Sequence, residues 1–463
     1  MIRIFKHYIP KTLLLLGASE TLILFVSIYL GMSLRFLGGD SGIDPQQVLP
    51  KALVFTLAMV GIMTAVGLYE REAHDIYRQF VQLGLSFVLG LIAMTLIFYA
   101  VPDLFVGRGA FAISLLIALI GTGVVRGMFF SLSDAKGMKR RVLVLGTGSR
   151  AATVDDLERS LAGRAGFTVV GYLPLKSDQH FVHEHRILND QGSSLCGLAA
   201  QLSIDEIVVG VRERRDGGLP IQEVLKCKMA GINVVDLSTF FERETGHVQL
   251  ASLNTSWMIF SDGFDRGSLR KSSKRIFDVL ASATVLLLTA PLMLLTAMIV
   301  RLESRGPVLY KQERVGEAGR RFNILKFRSM RADAESDGKP RWASKDDDRV
   351  TRVGKFIRKV RIDELPQLFN VLRGEMSFVG PRPERPFFVD QLEKKIPYFA
   401  YRHNVKPGIT GWAQIRYPYG ASLKDSIEKL QYDLYYVKNH SLFLDLIILL
   451  QTAQVVLFGK GAR

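Results

Sequence analysis

The sequence predicts a membrane-bound chain in three parts: an α-helical bundle of four membrane spans, a Rossmann-like α/β domain, and a mainly α C-terminal domain carried on a re-entrant membrane helix. Three observations predict this. Long apolar runs open the chain at Thr12–Met32, Ala52–Tyr69, Val81–Val101 and Gly109–Ser131. A strand leading into a glycine turn follows, at Val142–Ala151. A further apolar run, Val279–Val300, has Pro291 in its middle and basic residues on both flanks. The 463 residues leave room for two or three domains.

Each early run can cross a hydrocarbon core of about 30 Å at about 1.5 Å per residue. The first lacks a small-residue cleavage site and reads as an anchor, not a signal peptide. Arg3, Lys6 and Lys11 precede it. Arg71 and Arg78 lie between the second and third runs, and Lys136, Lys139, Arg140 and Arg141 follow the fourth. The positive-inside rule then places both ends of this region in the cytoplasm. Arg126, near the cytoplasmic end of the fourth run, is expected to snorkel, and Glu20 to serve pairing or packing. A formal net charge of +16 calls for a polyanionic partner. Cys196 and Cys227 are the only cysteines, so no disulfide framework is implied and a reducing compartment fits.

In "RRVLVLGTGSRAATVDDLERSLAG", Gly146-Thr147-Gly148-Ser149-Arg150-Ala151 has the GxGxxA form of the dinucleotide fingerprint. Glycines permit the tight turn, and helix N–H groups face a phosphate. Strands are expected at Val142–Leu145, Phe167–Tyr172, Glu206–Val211 and Asn233–Asp236. No acid ends the second strand to hold a ribose. Tyr172 and Lys176 have YxxxK spacing, but Pro174 stands between them where a helix is required. The domain therefore reads as regulatory, dimerising or vestigial. His180, His183 and His185 have metal-ligand spacing, yet no Cys stands nearby, and a polar loop is the plainer reading.

Arg266, Arg270, Lys271, Lys274 and Arg275 precede the proline-bearing run, and Arg301 and Arg305 follow it. Proline removes a backbone bond and bends a helix. A straight crossing would place the charged last third outside the cell. A helix-break-helix entering and leaving from the cytoplasm avoids this. The expected boundaries are 1–135 for the spans, 136–255 for the α/β domain and 256–463 for the last domain, with its hairpin at 275–302. The tail "SLFLDLIILLQTAQVVLFGKGAR" is interrupted by Asp445, Gln451 and Gln454 and reads as an interfacial helix rather than another span.

The C-terminal third holds "LYKQERVGEAGRRFNILKFRSM", "RVGKFIRKVRIDELPQLFNVL", "GEMSFVGPRPERP" and "VKPGITGWAQI". Together these resemble the bacterial sugar transferase family, the monotopic phosphoglycosyl transferases or polyprenyl-phosphate hexose-1-phosphate transferases. The likeness covers about 270–463. The spans and α/β domain more loosely resemble the large members of that family, which start capsule, O-antigen or exopolysaccharide assembly. The resemblance implies transfer of a sugar 1-phosphate from a UDP-sugar to a polyprenyl (undecaprenyl) phosphate, with UMP leaving. It implies Asp363 as nucleophile on the β-phosphate, and Glu364 as partner of a Mg2+ site that Mn2+ can also fill.

The residues suit that chemistry. A carboxylate attacks phosphorus only where the diphosphate charge is screened. Mg2+ bridges one or two carboxylates to substrate phosphates. Arg349–Arg361 holds six Lys or Arg, and its apolar residues recur at helical spacing, as in a basic helix on a membrane surface. Lys326, Arg328, Arg361 and Arg382 are candidate phosphate-binding cations, with Arg382 presented by Pro381 and Pro383. Thr410 and Gln414 either reach uracil, ribose or sugar hydroxyls or belong to a plain tight turn. Asp278 reads as structural, anchoring the hairpin by pairing with a basic residue. Family hairpins often carry Ser-Pro at the break; here the pair is Ala290-Pro291, and Thr289 offers the hydroxyl.

The implied partners are the UDP-sugar, the polyprenyl phosphate and anionic inner-membrane lipid. A homodimer fits a large family member. No nucleic-acid recognition motif is present. The bacterial inner membrane, with both globular domains cytoplasmic, is the expected location. Two competing readings are a membrane nucleotide-sugar-modifying oxidoreductase or dehydratase and a non-enzymatic polysaccharide-assembly scaffold. The first lacks a ribose acid; the second leaves the Asp-Glu pair unexplained.

Overall fold

The computed structural model describes residues 2–35, 45–69, 76–133, 139–161, 165–175, 180–189, 194–211, 219–250, 253, 263–264, 267–331, 349–418, 420 and 422–457. Arg71, Lys136, Lys176 and Arg266 lie outside the described residues. The chain divides into two compact units. One comprises Pro10–Met63 and Leu68–Phe260, the other Ile2–Ile9, Thr64–Gly67 and Ser261–Arg463.

The chain opens with an antiparallel hairpin, β1 (Ile2–Ile4) and β2 (His7–Ile9). The two residues between the strands, Phe5 and Lys6, both have positive φ, as a two-residue hairpin turn requires. Four long helices follow: α1 (Lys11–Arg35), α2 (Pro45–Val66), α3 (Ile76–Ala100) and α4 (Arg108–Ser133). All four are long and apolar enough to cross a membrane. The second starts at Pro45 rather than Ala52, because polar Gln46 and Gln47 still continue a helix that periodicity alone would begin later. Helices α1 and α4 approach closely. A Cβ at Gly31 would strike Ser114 of α4, so only glycine fits there.

Arg126 does not snorkel. It is turned into the bundle and is 1% exposed. Its Nε lies 2.7 Å from Glu20 Oε1 and its Nη2 donates to Glu20 Oε2 at 2.9 Å. Nη1 donates to Gln79 Oε1 at 2.6 Å and to the Leu68 carbonyl, and Tyr69 donates to Glu20 Oε2 at 2.6 Å. The pairing role expected of Glu20 is thus its geometry.

The α/β region of the same unit has a parallel sheet ordered β4-β3-β5-β6, with β3 at Arg140–Leu145, β4 at Phe167–Leu173, β5 at Glu206–Val209 and β6 at Asn233–Asp236. Helices α5 (Ser149–Ser160), α6 (Leu195–Gln201), α7 (Ile221–Met229) and α8 (Leu237–Thr245) connect and flank it. Apolar clusters cover both faces, which is why β3 reads as an unbroken apolar run rather than an alternating one. Gly146 has φ +107, the conformation that the fingerprint glycine was expected to supply. Residues 180 and 181 close over this turn: His180 Nδ1 lies 2.9 Å from Thr147 Oγ1, and the Phe181 N–H donates to the Thr147 carbonyl. Tyr172 is fully buried on a strand, not on a helix, which removes the geometry a YxxxK pair needs. His183 and His185 stack on each other, and no group of three metal-ligating side chains occurs among the described residues.

The second unit is built on α9 (Ser268–Glu303). This is one helix of 36 residues, which continues past Pro291 although proline removes one of its backbone hydrogen bonds there. Thr289 Oγ1 donates to the Val285 carbonyl, not to that of Leu287, whose usual partner Pro291 removes. Antiparallel β7 (Leu309–Val315) and β8 (Arg321–Phe327) follow. Then come α10 (Arg352–Lys359), α11 (Gln367–Arg373), β9 (Ser377–Val379), α12 (Pro386–Lys395), β10 (Gly408–Thr410), α13 (Trp412–Arg416), α14 (Leu423–Asn439) and α15 (Leu442–Leu457). Strands β9 and β10 pair in parallel. The N-terminal hairpin packs on this body, with His7 Nδ1 2.7 Å from the Tyr435 hydroxyl and its ring edge-on to Trp412.

Both ends of α9 are tied to this one body. Near its start, Asp278 is buried and accepts from Ser377 Oγ at 2.9 Å and from the Phe378 N–H at 3.0 Å. The anchoring expected of Asp278 therefore runs through β9 rather than through a basic residue. The cations beside it go elsewhere: Lys274 to Asp445 at 2.7 Å, and Arg275 to the Val371 and Leu372 carbonyls at the end of α11. At the other end, Val300 packs with Phe327 and Ile357. Helix α15 is 16 residues long, about 24 Å, shorter than a hydrocarbon core. Its Asp445 is buried against Lys274 and Tyr436.

Candidate active site

The Asp-Glu pair sits on a single 3-10 turn, Ile362–Glu364, between α10 and α11. Helix α10 begins at Thr351, whose Oγ1 accepts from the Gly354 N–H. It stops because Arg361 adopts a left-handed conformation, φ +61. A non-glycine residue held there carries strain of about 1–3 kcal/mol, and such strain clusters at functional sites. Leu365 and Pro366 return to right-handed helical angles and lead into α11. Asn370 of α11 fixes that helix to β8: its Oδ1 accepts from the Leu325 N–H and its Nδ2 donates to the Asn323 carbonyl. The next residue on β8, Lys326, is thereby held against the pair.

Asp363 and Glu364 are both buried. Glu364 Oε1 collects three cations: Arg382 Nη2 at 2.9 Å, Lys326 Nζ at 3.2 Å and Arg361 Nη1 at 3.7 Å. Burial alone would raise the Glu364 pKa, but Arg382, Lys326 and Arg361 outweigh it and hold the carboxylate well below its usual range. Asp363 responds the other way. Burial, and then the charge of Glu364 beside it, push its pKa up to about 6. Asp363 Oδ1 is buried without a hydrogen-bond partner. One carboxylate is thus held by three cations through a single oxygen and firmly ionised, while its neighbour has an uncommitted oxygen.

Arg382 is set by its backbone. The Pro381 carbonyl accepts from the Gly408 N–H, the Arg382 carbonyl from Arg402 Nη2 at 2.9 Å, and the Pro383 carbonyl from Arg314 Nη1 at 3.0 Å. Arg402 is buried and paired with Asp433 at 2.8 Å. Sequence reasoning missed Arg314, Arg402, Asp433 and Asn370. Each acts on a segment at least 20 residues away, a relation that local spacing does not record.

Lys326, Arg361 and Arg382 therefore meet at the Asp-Glu pair, and Arg328 does not. Its guanidinium donates to the Ser304, Arg305 and Val300 carbonyls, capping the C-terminal end of α9. Side-chain direction alternates along a strand, so Lys326 and the Arg328 just past β8 leave the chain on the same side yet find different partners. Arg328→Met is expected to lower thermal stability by roughly 1–3 kcal/mol, the range for stranding buried carbonyls. The measurement is the unfolding midpoint in detergent; an unchanged midpoint would contradict the capping role.

Thr410 is buried, and its hydroxyl lies 2.7 Å from that of Thr452. Gln414 donates to the Ile409 carbonyl at 3.3 Å. Thr410 thus contacts α15, and Gln414 holds the turn before α13 through its amide N–H while its Oε1 is buried without a hydrogen-bond partner. Of the apolar residues on α10, Ile357 packs inward while Phe356 is 61% exposed.

A membrane-associated helical region, an α/β region and a buried acidic pair ringed by cations define the class of protein that the chain builds. Residues 269–459 match the family model for bacterial sugar transferases. The chain is 44% identical over 264 residues to the UDP-N-acetylgalactosamine-undecaprenyl-phosphate N-acetylgalactosaminephosphotransferase of Aeromonas hydrophila, covering 56% of this chain and 60% of that one. It is 43% identical over 202 residues to the UDP-glucose:undecaprenyl-phosphate glucose-1-phosphate transferase of Xanthomonas campestris pv. campestris, covering 43% and 42%. It is 44% identical over 190 residues to the uncharacterized sugar transferase EpsL of Bacillus subtilis (strain 168), covering 41% of this chain and 90% of that one. The chain belongs to the bacterial sugar transferase family. Its matching part spans less than two thirds of the first two of these relatives.

Proposed function

We propose that the chain is an enzyme transferring a sugar 1-phosphate from a UDP-sugar to polyprenyl phosphate, with release of UMP. The observation that carries this reading is the asymmetric pair: Asp363 with a free buried oxygen beside a Glu364 whose Oε1 is held by Lys326, Arg361 and Arg382. An oxygen of Asp363 attacks the β-phosphorus of the donor. An Asp–O–P bond forms, and the bond from that phosphorus to the bridging oxygen breaks. The electron pair leaves with UMP. A phosphate oxygen of the polyprenyl acceptor then attacks the same phosphorus and expels the Asp363 carboxylate, leaving a polyprenyl diphosphate sugar. The cations screen the incoming phosphates and hold Glu364 ionised.

The free Asp363 oxygen and the adjacent Glu364 suit Mg2+, which takes oxygen ligands and is bound by one or two carboxylates plus substrate phosphates. When bound, that ion would neutralise charge on the diphosphate. Thr410 and Gln414 are given no donor contact in this reading.

The membrane layout is part of the same proposal. Helices α1–α4 span a bacterial inner membrane with both ends cytoplasmic. The α/β region is a Rossmann-like domain in the cytoplasm, and residues 256–463 form the catalytic domain there. In this reading α9 enters and leaves from the same side with a bend at Pro291, a reading supported by the contacts of Asp278 and of Val300 with the same body. Phe356 and the basic residues of α10 face anionic lipid. The product feeds exopolysaccharide, capsule or O-antigen assembly.

The test is UMP release from a panel of UDP-sugars by protein in nanodiscs, with polyprenyl phosphate and Mg2+. Release that requires the lipid acceptor supports the reading and names the sugar. Well-folded protein that releases UMP from no member of the panel would overturn it.

A further inference from the structure

Gln367 is the first residue of α11 and is 3% exposed. Its Nε2 is buried and has no hydrogen-bond partner. A buried amide donor left unpaired is costly, and an apolar side chain of the same shape would avoid the cost. The position of this orphan is informative. From Ile362 to Gln367 the chain is right-handed throughout, with Leu365 at φ −54, ψ −36 and Pro366 at φ −63, ψ −15. Gln367 stands four residues after Asp363, at the end of one short, tightly wound segment in which the Leu365 N–H donates to the Ile362 carbonyl and the Leu368 N–H to the Leu365 carbonyl. Asp363 Oδ1 is the other orphan of this turn. The two are not bonded to each other. One is an acceptor awaiting an electrophile and the other a donor awaiting an acceptor.

Among the described residues, the cations in contact with the pair, Lys326, Arg361 and Arg382, lie on Glu364 Oε1. The segment bearing Asp363 has, in Gln367, a neutral donor. Lys or Arg here would pair with the Asp363 carboxylate and blunt it as a nucleophile, whereas an amide N–H binds a phosphoryl oxygen without neutralising the attacking group.

We infer that the Gln367 side-chain amide donates to a non-bridging oxygen of the phosphoryl group as it transfers onto and off Asp363. This rests on the reaction proposed above. It adds a residue that contacts the reacting group and strengthens its hold as negative charge builds on the phosphoryl oxygens.

The test uses Gln367→Met, close in shape and without a donor, with Gln367→Glu as a second variant. Inorganic pyrophosphate with Mg2+ is the binding probe. The full chain is kept in nanodiscs throughout. The expected result is that Gln367→Met keeps or raises the unfolding midpoint of the ligand-free protein. UMP release should fall about 100-fold or more, chiefly in kcat, the range for removing one oxyanion donor. The stabilisation that Mg2+–pyrophosphate gives the wild type should shrink. UMP release within threefold of wild type in either variant would overturn the inference and leave the reaction standing. A lower ligand-free midpoint with a proportionate loss of activity in both variants would overturn it in favour of a packing role. If no UDP-sugar turns over but pyrophosphate stabilises the wild type and not Gln367→Met, the phosphoryl contact stands and the donor assignment falls. Equal stabilisation of both proteins would overturn the contact.

Discussion

Asp363→Asn is expected to reduce lipid-dependent UMP release by a factor of about 1,000 or more, the scale on which removal of an essential nucleophile is felt. The amide keeps the size of the carboxylate and stays among the same neighbours, so the folded structure should survive. What it loses is the anionic carboxylate oxygen that attacks phosphorus to form the Asp–O–P bond. Incubation of wild type with the donor alone should leave a phospho-sugar adduct on the peptide containing Asp363, visible by mass spectrometry. The variant should show none. Undiminished release by Asp363→Asn would reject Asp363 as the nucleophile.

The same residue sets a pH dependence. Burial and the Glu364 charge raise the Asp363 pKa to about 6. Below that value the group is protonated and cannot attack; above it the group is ionised. In the free enzyme, kcat/KM should therefore fall as pH drops through about 6. Glu364, held ionised by Arg382, Lys326 and Arg361, contributes no limb in that range. Loss of the Glu364 charge removes one of the two causes of the Asp363 shift, so Glu364→Gln should move the limb to lower pH.

How much of this was legible in the sequence depended on how local each feature is. The four apolar runs, the parallel strands and the turn at Gly146 follow from composition and period; the strands lie within two residues of their expected bounds, while the second and third helices begin earlier, at Pro45 and Ile76. The Asp-Glu pair and its three cations were legible through dense motifs. Partner choice was not. Arg328 and Lys326 are two residues apart and equally basic, yet one caps α9 and the other meets Glu364. Asp278 was expected to find a cation and finds the Ser377 hydroxyl, 99 residues on. The N-terminal hairpin escaped notice because its strands are three residues each and Phe5 and Lys6 are not customary turn residues.

The second large effect belongs to the membrane helices. Arg126→Met is expected to destabilise the bundle by about 3–5 kcal/mol, the cost of breaking a buried ion pair from one side. That is a large share of a total stability of about 5–15 kcal/mol. The structural reason is that Glu20 is fully buried and relies on Arg126 for two contacts, leaving Tyr69 alone to satisfy it once the guanidinium is gone. Glu20→Gln should cost less, because Arg126 keeps Gln79 and the Leu68 carbonyl. The double variant should be more stable than Arg126→Met alone, since neither charge is left stranded. A double-mutant cycle on unfolding midpoints in detergent measures the coupling. Were Arg126 to snorkel to the surface, as its place near a helix end suggests, each single change would cost well under 1 kcal/mol, as exposed pairs do, and the coupling would vanish.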